Sequence, residues 1–329
     1  MFCSVIRRVT LAIIFSAACS GNAFAQSFPD RPLTLIVPFA AGGAADTTGR
    51  IMADAMAKHL GQTIIVENVA GAGGATGSLR GKNARPDGYT IGLGHMGTHA
   101  ASVGVDPKLA YDPRKDFDYL GLVSTTPNIV FVRKDFPANT LGEFAAYATA
   151  KGKDLKMGHS GIGAASHITC ILLFQIIGTE PTYVSYRGFG QTINDILSGS
   201  IDGSCDLVAS VSGQVQSGSV KAFAVATPER SPVIPDVPTA QEAGMPEFAA
   251  ETWTGLYVPK GLPADVLAKL TEAVSKALAD PATQERFLKI GATVPKPERQ
   301  GGDAMLKLIE TEVARWIVIL KNAGLPEQQ

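Results

Sequence analysis

The stretch LTLIVPFAAGGAADTTGRIMADAMAKHLG, residues 33 to 61, limits the possible folds more than any other part of the chain. A short apolar run leads into a turn of glycine and alanine, and the turn opens directly into a helical pattern. Ile51, Met52, Ala55, Met56 and Leu60 share one face of that helix, and Gly61 suits its C-terminal stop. The arrangement returns downstream. TIIVEN and YTIGLGH follow with helical patterns between them, and a second series begins near Asn128 with NIVFVRK, LKMGHS, TYVSYRG, CDLVAS and KAFAVAT. ASHITCILLFQIIG and QTINDILSG are the helices of this second series, ETWTGLYVPKG is a further strand, and the chain is helical after it. Strands and helices alternating at this spacing predict a parallel sheet with helices packed outside it. Two such series followed by helices predict two α/β lobes joined by two crossing strands.

The turns between strand and helix are the candidate site. They are PFAAGGAAD (38–46), NVAGAGGATGS (68–78), GHMGTHA (94–100), SGIGAASH (160–167) and YRGFGQT (186–192). In an open parallel sheet, ligands bind beyond the carboxyl ends of the strands, where such turns gather. Helix N-termini there present unpaired N–H groups and the positive end of the dipole. Glycine allows close approach to the backbone, and Ser or Thr adds a donor. A place of this kind holds a small carboxylate or phosphate without a charged side chain. Any one of these turns is also what a tight structural turn looks like; five together point to a site.

The N-terminus reads as a secretory leader. Arg7 and Arg8 precede VTLAIIFSAAC, which leads to AFAQ, with cleavage expected after Ala25. Roughly 300 residues then remain, enough for two domains. The formal charge of −1 falls to about −3 when the two leader arginines leave, which excludes the basic face that nucleic acid or an anionic membrane requires. Cys170 and Cys205 survive processing; an oxidising compartment permits them to pair, and a buried pair of free thiols fits the sequence equally.

Enzyme motifs are incomplete. GAGGATG carries an extra residue against the dinucleotide fingerprint, and no acid follows at the expected place. GHSGI has Ile162 where a nucleophile elbow needs its second glycine. His95 and His99 have i,i+4 spacing but lack an acidic third ligand. No cofactor and no metal are expected. An exported hydrolase using Ser160 and His167 is the alternative to a binding protein, and a ligand-dependent sensor is a third.

The stretches PDRPLTLIVPFAAGGAADTTGRIMA, GQTIIVENVAGAGGATGS, PDGYTIGLG, YDPRKDFDYLGLV, SHITCILLFQ, VSYRG, ERSPVIPDVPTAQEAG and WTGLYVPKGLP together resemble the tripartite tricarboxylate transporter substrate-binding proteins, the Bug receptors. The resemblance covers essentially the whole mature chain in order. It implies a type II periplasmic binding-protein fold, with lobe 1 from 26–127 plus 253–329 and lobe 2 from 128–252, closing on ligand like a hinge. It implies a monomeric, non-enzymatic receptor in the periplasm that delivers a carboxylate to a permease of one large and one small membrane subunit.

Carried onto this sequence, the first carboxylate would sit against the turn holding Phe39, Ala40, Gly42, Gly43, Ala44 and Asp46, and against the turn holding Gly73, Gly74, Ala75 and Thr76. Thr98, Ser160, Ser166, His167, Tyr186 and Arg187 would supply the rest of the cleft. Asp46 matches the acid the family places at the first helix, and it reads equally as a helix cap. Many relatives carry a second Asp where this chain has Ser210. Losing that carboxylate favours a more anionic ligand over one with an ammonium group. The expectation is therefore a dicarboxylate, aliphatic or aromatic, with Arg187 as the one fixed cation near it.

Overall fold

A computed structural model describes residues 28–106 and 108–323; the leader and its cleavage after Ala25 lie outside the described residues. Nine strands run in the order β2-β1-β3-β9-β4-β7-β5-β6, with β8 also paired to β4. The strands are β1 (Leu33–Val37), β2 (Ile64–Asn68), β3 (Thr90–His95), β4 (Phe117–Arg133), β5 (Lys156–His159), β6 (Thr182–Ser185), β7 (Gly203–Leu207), β8 (Val220–Val225) and β9 (Glu251–Pro259). β1 is parallel to β2 and β3, and β5 is parallel to β6 and β7. The helices that the site uses are α1 (Ala44–Leu60), α2 (Ala75–Lys82), α3 (Leu141–Lys151), α4 (Ala165–Ile177), α5 (Phe189–Leu197) and α6 (Val208–Gln216). The C-terminal helices are α7 (Ala264–Ala279), α8 (Pro281–Lys289) and α9 (Gly302–Asn322).

β4 joins the two halves. Its first part, Phe117 to Pro127, is antiparallel to β9, and from Asn128 it passes between β7 and β8. Pro127, which brings no N–H to a ladder, stands at the exchange of partners. The sequence reading began this element only at Asn128. The preceding FDYLGLVSTTP is interrupted by Gly121 and Pro127, which read as punctuation and not as the near half of one 17-residue strand.

Each half has helices on both faces of its sheet, as an α/β layer requires. Leu35, Val37 and Leu93 pack under α1 and α7 on one face of the first sheet. On the other face an aromatic group, Phe117, Tyr119, Trp253 and Tyr257, meets Met305, Ile309 and Trp316 of α9. α1 buries the whole stripe from Ile51 to Leu60 that its periodicity predicted. It lies unusually close to β1 because Gly49 has no side chain: a Cβ there would come within 2.7 Å of the Val37 Cγ2. In the second sheet Val130, Val132 and Met157 pack against α3 and α4, and Ile129 and Phe131 against α5 and α6. Cys170 of α4 and Cys205 of β7 are disulfide-bonded, with Cα atoms 5.2 Å apart.

Candidate functional site

Where the halves meet, residues of both enclose a cleft of about 570 Å³ of non-protein space, part of it open to solvent. Four helices begin on its wall: α1 with Ala44 and Ala45, α4 with Ala165 and Ser166, α5 with Gly188 and Phe189, and α6 with Leu207 and Ser210. None of the four has a side-chain cap. Elsewhere α3 is capped by Thr140 and α8 by Asp280, while α2, α7 and α9 also lack a side-chain cap. The uncapped first turns at the cleft direct unpaired N–H groups and four dipole ends toward one space. The Ala44 N–H of α1 donates across the cleft to the Ser210 Oγ at 3.4 Å, so the two halves already touch through a helix start.

Phe39, Ala40, Gly43, Ala44, Ser160, Ser166 and Ser210, all named from the sequence, line this cleft. Gly42 lies just outside; its N–H donates to the Asp46 Oδ2 at 3.0 Å. Asp46 is buried behind the turn, not in the lining. Burial pushes its pKa up, but hydrogen bonds from Arg50, Gly42 and Asn68, with the Arg50 charge, hold it below the usual carboxylate value. Its geometry is that of an anchor that ties the 39–46 turn to β2, since Asn68 also donates to the Phe39 carbonyl at 2.9 Å.

The other sequence candidates lie apart from the cleft. Thr98 is fully buried, and its Oγ1 accepts from the His95 N–H and pairs with the His99 Nδ1. Ala75 and Thr76 begin α2. Gly73 and Gly74 precede it at positive φ, and Gly73 abuts the Ile162 backbone of the opposite half. Tyr186 and exposed Arg187 line a separate hollow with Gly71, Gly73 and Ile162; Ser160 belongs to both spaces. Tyr186 donates to the Asp195 Oδ2, and burial, then that carboxylate, pushes its pKa to about 12. His167 is buried against His159, and its Nδ1 accepts the Gly163 N–H. With Nδ1 taken by the Gly163 N–H and burial pushing its pKa down to about 3, His167 is not placed as a base for Ser160, whose own N–H donates to the Ser166 Oγ.

Thr48, Thr126, Asp206 and Thr254 line the cleft without having been singled out in the sequence, as do His95, weighed there only as a metal ligand, and Phe189, which lies inside the 186–192 turn. Thr126 and Thr254 sit on β4 and β9, where strand sequence reads only as core. His95 stacks on Phe39 with ring centroids 5.0 Å apart, and its Nδ1 accepts the Gly97 N–H. Burial pushes its pKa down to about 4, which leaves a neutral ring with its proton on Nε2. Asp206 is the penultimate residue of β7, one before the Leu207 that leads into α6, a helix that the polar run SVSGQVQ concealed. Burial pushes its pKa up to about 6, against the Leu207 N–H and the Ser210 hydroxyl, which favour the charged form. The cleft therefore contains a carboxyl group. Among the described residues no group of three or more His, Cys, Asp or Glu is placed to hold a metal ion.

The chain matches the family described as tripartite tricarboxylate transporter family receptor over residues 48–325. Among solved structures it is similar to MatC from Rhodopseudomonas palustris with bound malate, at 42% identity and a TM-score of 0.86, covering 89% of this chain and 100% of that one. It is similar to the periplasmic binding protein BugD at 36% identity and a TM-score of 0.87, covering 92% of this chain and 100% of that one. An R. palustris protein with adipate matches at 29% identity and a TM-score of 0.85, covering 90% of this chain and 98% of that one.

Proposed function

The chain belongs to the tripartite tricarboxylate transporter receptor family, solute-binding proteins and not enzymes, and from that premise we propose that it captures a small aliphatic dicarboxylate in the periplasm. The observation that carries this reading is the convergence of four uncapped helix starts, from both halves, on one cleft. One carboxylate is held at α1, the other at the starts of α4 to α6, so a ligand with acids at both ends bridges the halves and stabilises the closed form. Malate in MatC and adipate in the R. palustris protein support an aliphatic chain over an aromatic body.

In this reading residues 26–127 plus 253–329 move as one lobe and 128–252 as the other. The junction suits a hinge. Asn128, where β4 changes partners, donates to the Thr169 Oγ1 and accepts from the Thr252 hydroxyl. The monomer then passes its ligand to a permease of one large and one small membrane subunit. Arg187, lining the neighbouring hollow, acts at the mouth and not on the bound acid.

A thermal-shift screen of refolded protein against succinate, malate, adipate, citrate, terephthalate and matching monoacids tests this. A dicarboxylate at a hundred times its Kd adds about 2.7 kcal/mol and raises the melting point by several degrees. No shift with any carboxylate would refute the receptor reading; a shift with monoacids alone would refute the bridging one.

A further inference from the structure

The cleft contains one acid that the binding of anions does not explain. Asp206 is 6% exposed and lines the cleft beside Leu207 and Ser210. Its Oδ1 accepts the Leu207 N–H at 2.7 Å, while its Oδ2 is buried with no hydrogen bond formed, although the Ser210 hydroxyl lies close enough to favour the charged form. A buried, unpaired carboxylate oxygen is costly, and a structure keeps one where a ligand completes it. The cleft lining contains no Lys or Arg to neutralise it. Nor does any packed element supply a charge. β4 offers Asn128 and Thr126, α6 offers Ser210, and Cys205 is in the disulfide. On the far wall His95 is neutral, and behind α4 His159 and His167 are held neutral by burial. Asp46 is paired with Arg50 outside the lining.

A dicarboxylate seated at the α6 start therefore meets Asp206 in a site of low dielectric. Two facing carboxylates repel strongly there unless they share a proton. Resting on the dicarboxylate reading above, we propose that Asp206 binds its ligand as the neutral acid, donating an Oδ2–H···O hydrogen bond to a ligand carboxylate. The proton comes from solvent and is released when the ligand leaves. Capture of each dianion thus takes up one proton, and Asp206 selects for an acceptor at that end of the cleft over a hydroxyl or an ammonium group. The free protein is already poised for this, since burial sets the Asp206 carboxyl near pH 6.

The probe is succinate, which carries carboxylates and no other polar group. Calorimetric titration at pH 7 in buffers of different ionisation enthalpy should show uptake of about one proton per succinate, and Kd should rise about tenfold from pH 7 to pH 8. Asp206→Asn, checked by circular dichroism, should lose both the uptake and the pH dependence. Succinate binding without proton uptake overturns the proposal, as does uptake that persists in Asp206→Asn, which would assign the proton to His95. If that variant does not fold, the wild-type proton count decides, with malate as the second probe: tight malate, weak succinate and no uptake mean an ionised Asp206 accepting from the hydroxyl. Failure of the wild type to bind succinate, malate and adipate instead refutes the dicarboxylate reading on which the proposal rests.

Discussion

Single residues at the cleft set its electrostatics through burial and not through paired charge. Asp206 is the clearest case. Its folded pKa of about 6 lies above the ordinary 3.8, so its contribution is fully present only below the unfolded value and is lost as pH rises through 6. In the ligand-free protein Asp206→Asn should therefore add stability at pH 8, up to about 3 kcal/mol, and little at pH 3.5; urea melts at the two pH values measure the difference. The histidines work in the opposite sense. His95, His99, His159 and His167 are pushed down to between about 3 and 4, so each stabilises the fold above its unfolded value near 6.5. That stability is lost as pH falls from 6.5 toward 4, at up to about 1.4 kcal/mol per pH unit for each ring, and acid melts should steepen there. Ser210→Asp would set a second acid beside Asp206, so succinate affinity should fall at least tenfold at pH 8 and less at pH 5. Arg187→Ala should change it by less than threefold, since that side chain lines the neighbouring hollow.

At the scale of elements, the second half holds its helix starts in place by tying α4 to β7. The Cys170–Cys205 disulfide spans a sequence separation of 35 and joins the helix that presents Ser166 to the strand that carries Asp206. Replacing both cysteines by alanine should cost about 2 to 4 kcal/mol in urea unfolding, with the larger loss expected because the pair is fully buried. α1 depends instead on a missing side chain. Gly49→Ala gains helix propensity yet drives a Cβ onto Val37, and the net effect should be a loss of about 1 kcal/mol or more in the same assay.

For the whole molecule, the two halves meet backbone against backbone. The 71–74 turn of the first half meets the Gly161–Ile162 segment of the second, and at Gly73, with φ of +60°, an added Cβ would strike the Ile162 carbonyl. Gly73→Ala should hold the halves apart. Its succinate affinity should fall by tenfold or more, and scattering should show no compaction at ligand levels that compact the wild type. Equal compaction in both would mean that the two turns separate in the working cycle.

Much of this was legible in the chain. The period-3.6 stripe of α1, the apolar strand runs and the glycine turns are local signals, and local backbone chemistry made the α/β layers and the helix starts that gather at the cleft readable. Ordered motif resemblance along the chain supplied the family. The turn at 39–46 and Ser160 and Ser166 were singled out because a turn before a helix announces itself in sequence, whereas Ser210 came only from the family resemblance. What the tertiary structure alone decided is which of the five turns share a space. Thr98 and His167 sit in equally suggestive turns, yet both side chains face inward to buried partners. Thr126, Thr254 and His95 enter from strands that look like core, because their position depends on β4 and β9 crossing between the halves. The pairing of Cys170 with Cys205, and the solvent-starved carboxyl of Asp206, likewise follow from the packing of α4 and α6 on β7. A sequence states which groups a chain carries; burial and the meeting of distant segments set their charge and their partners.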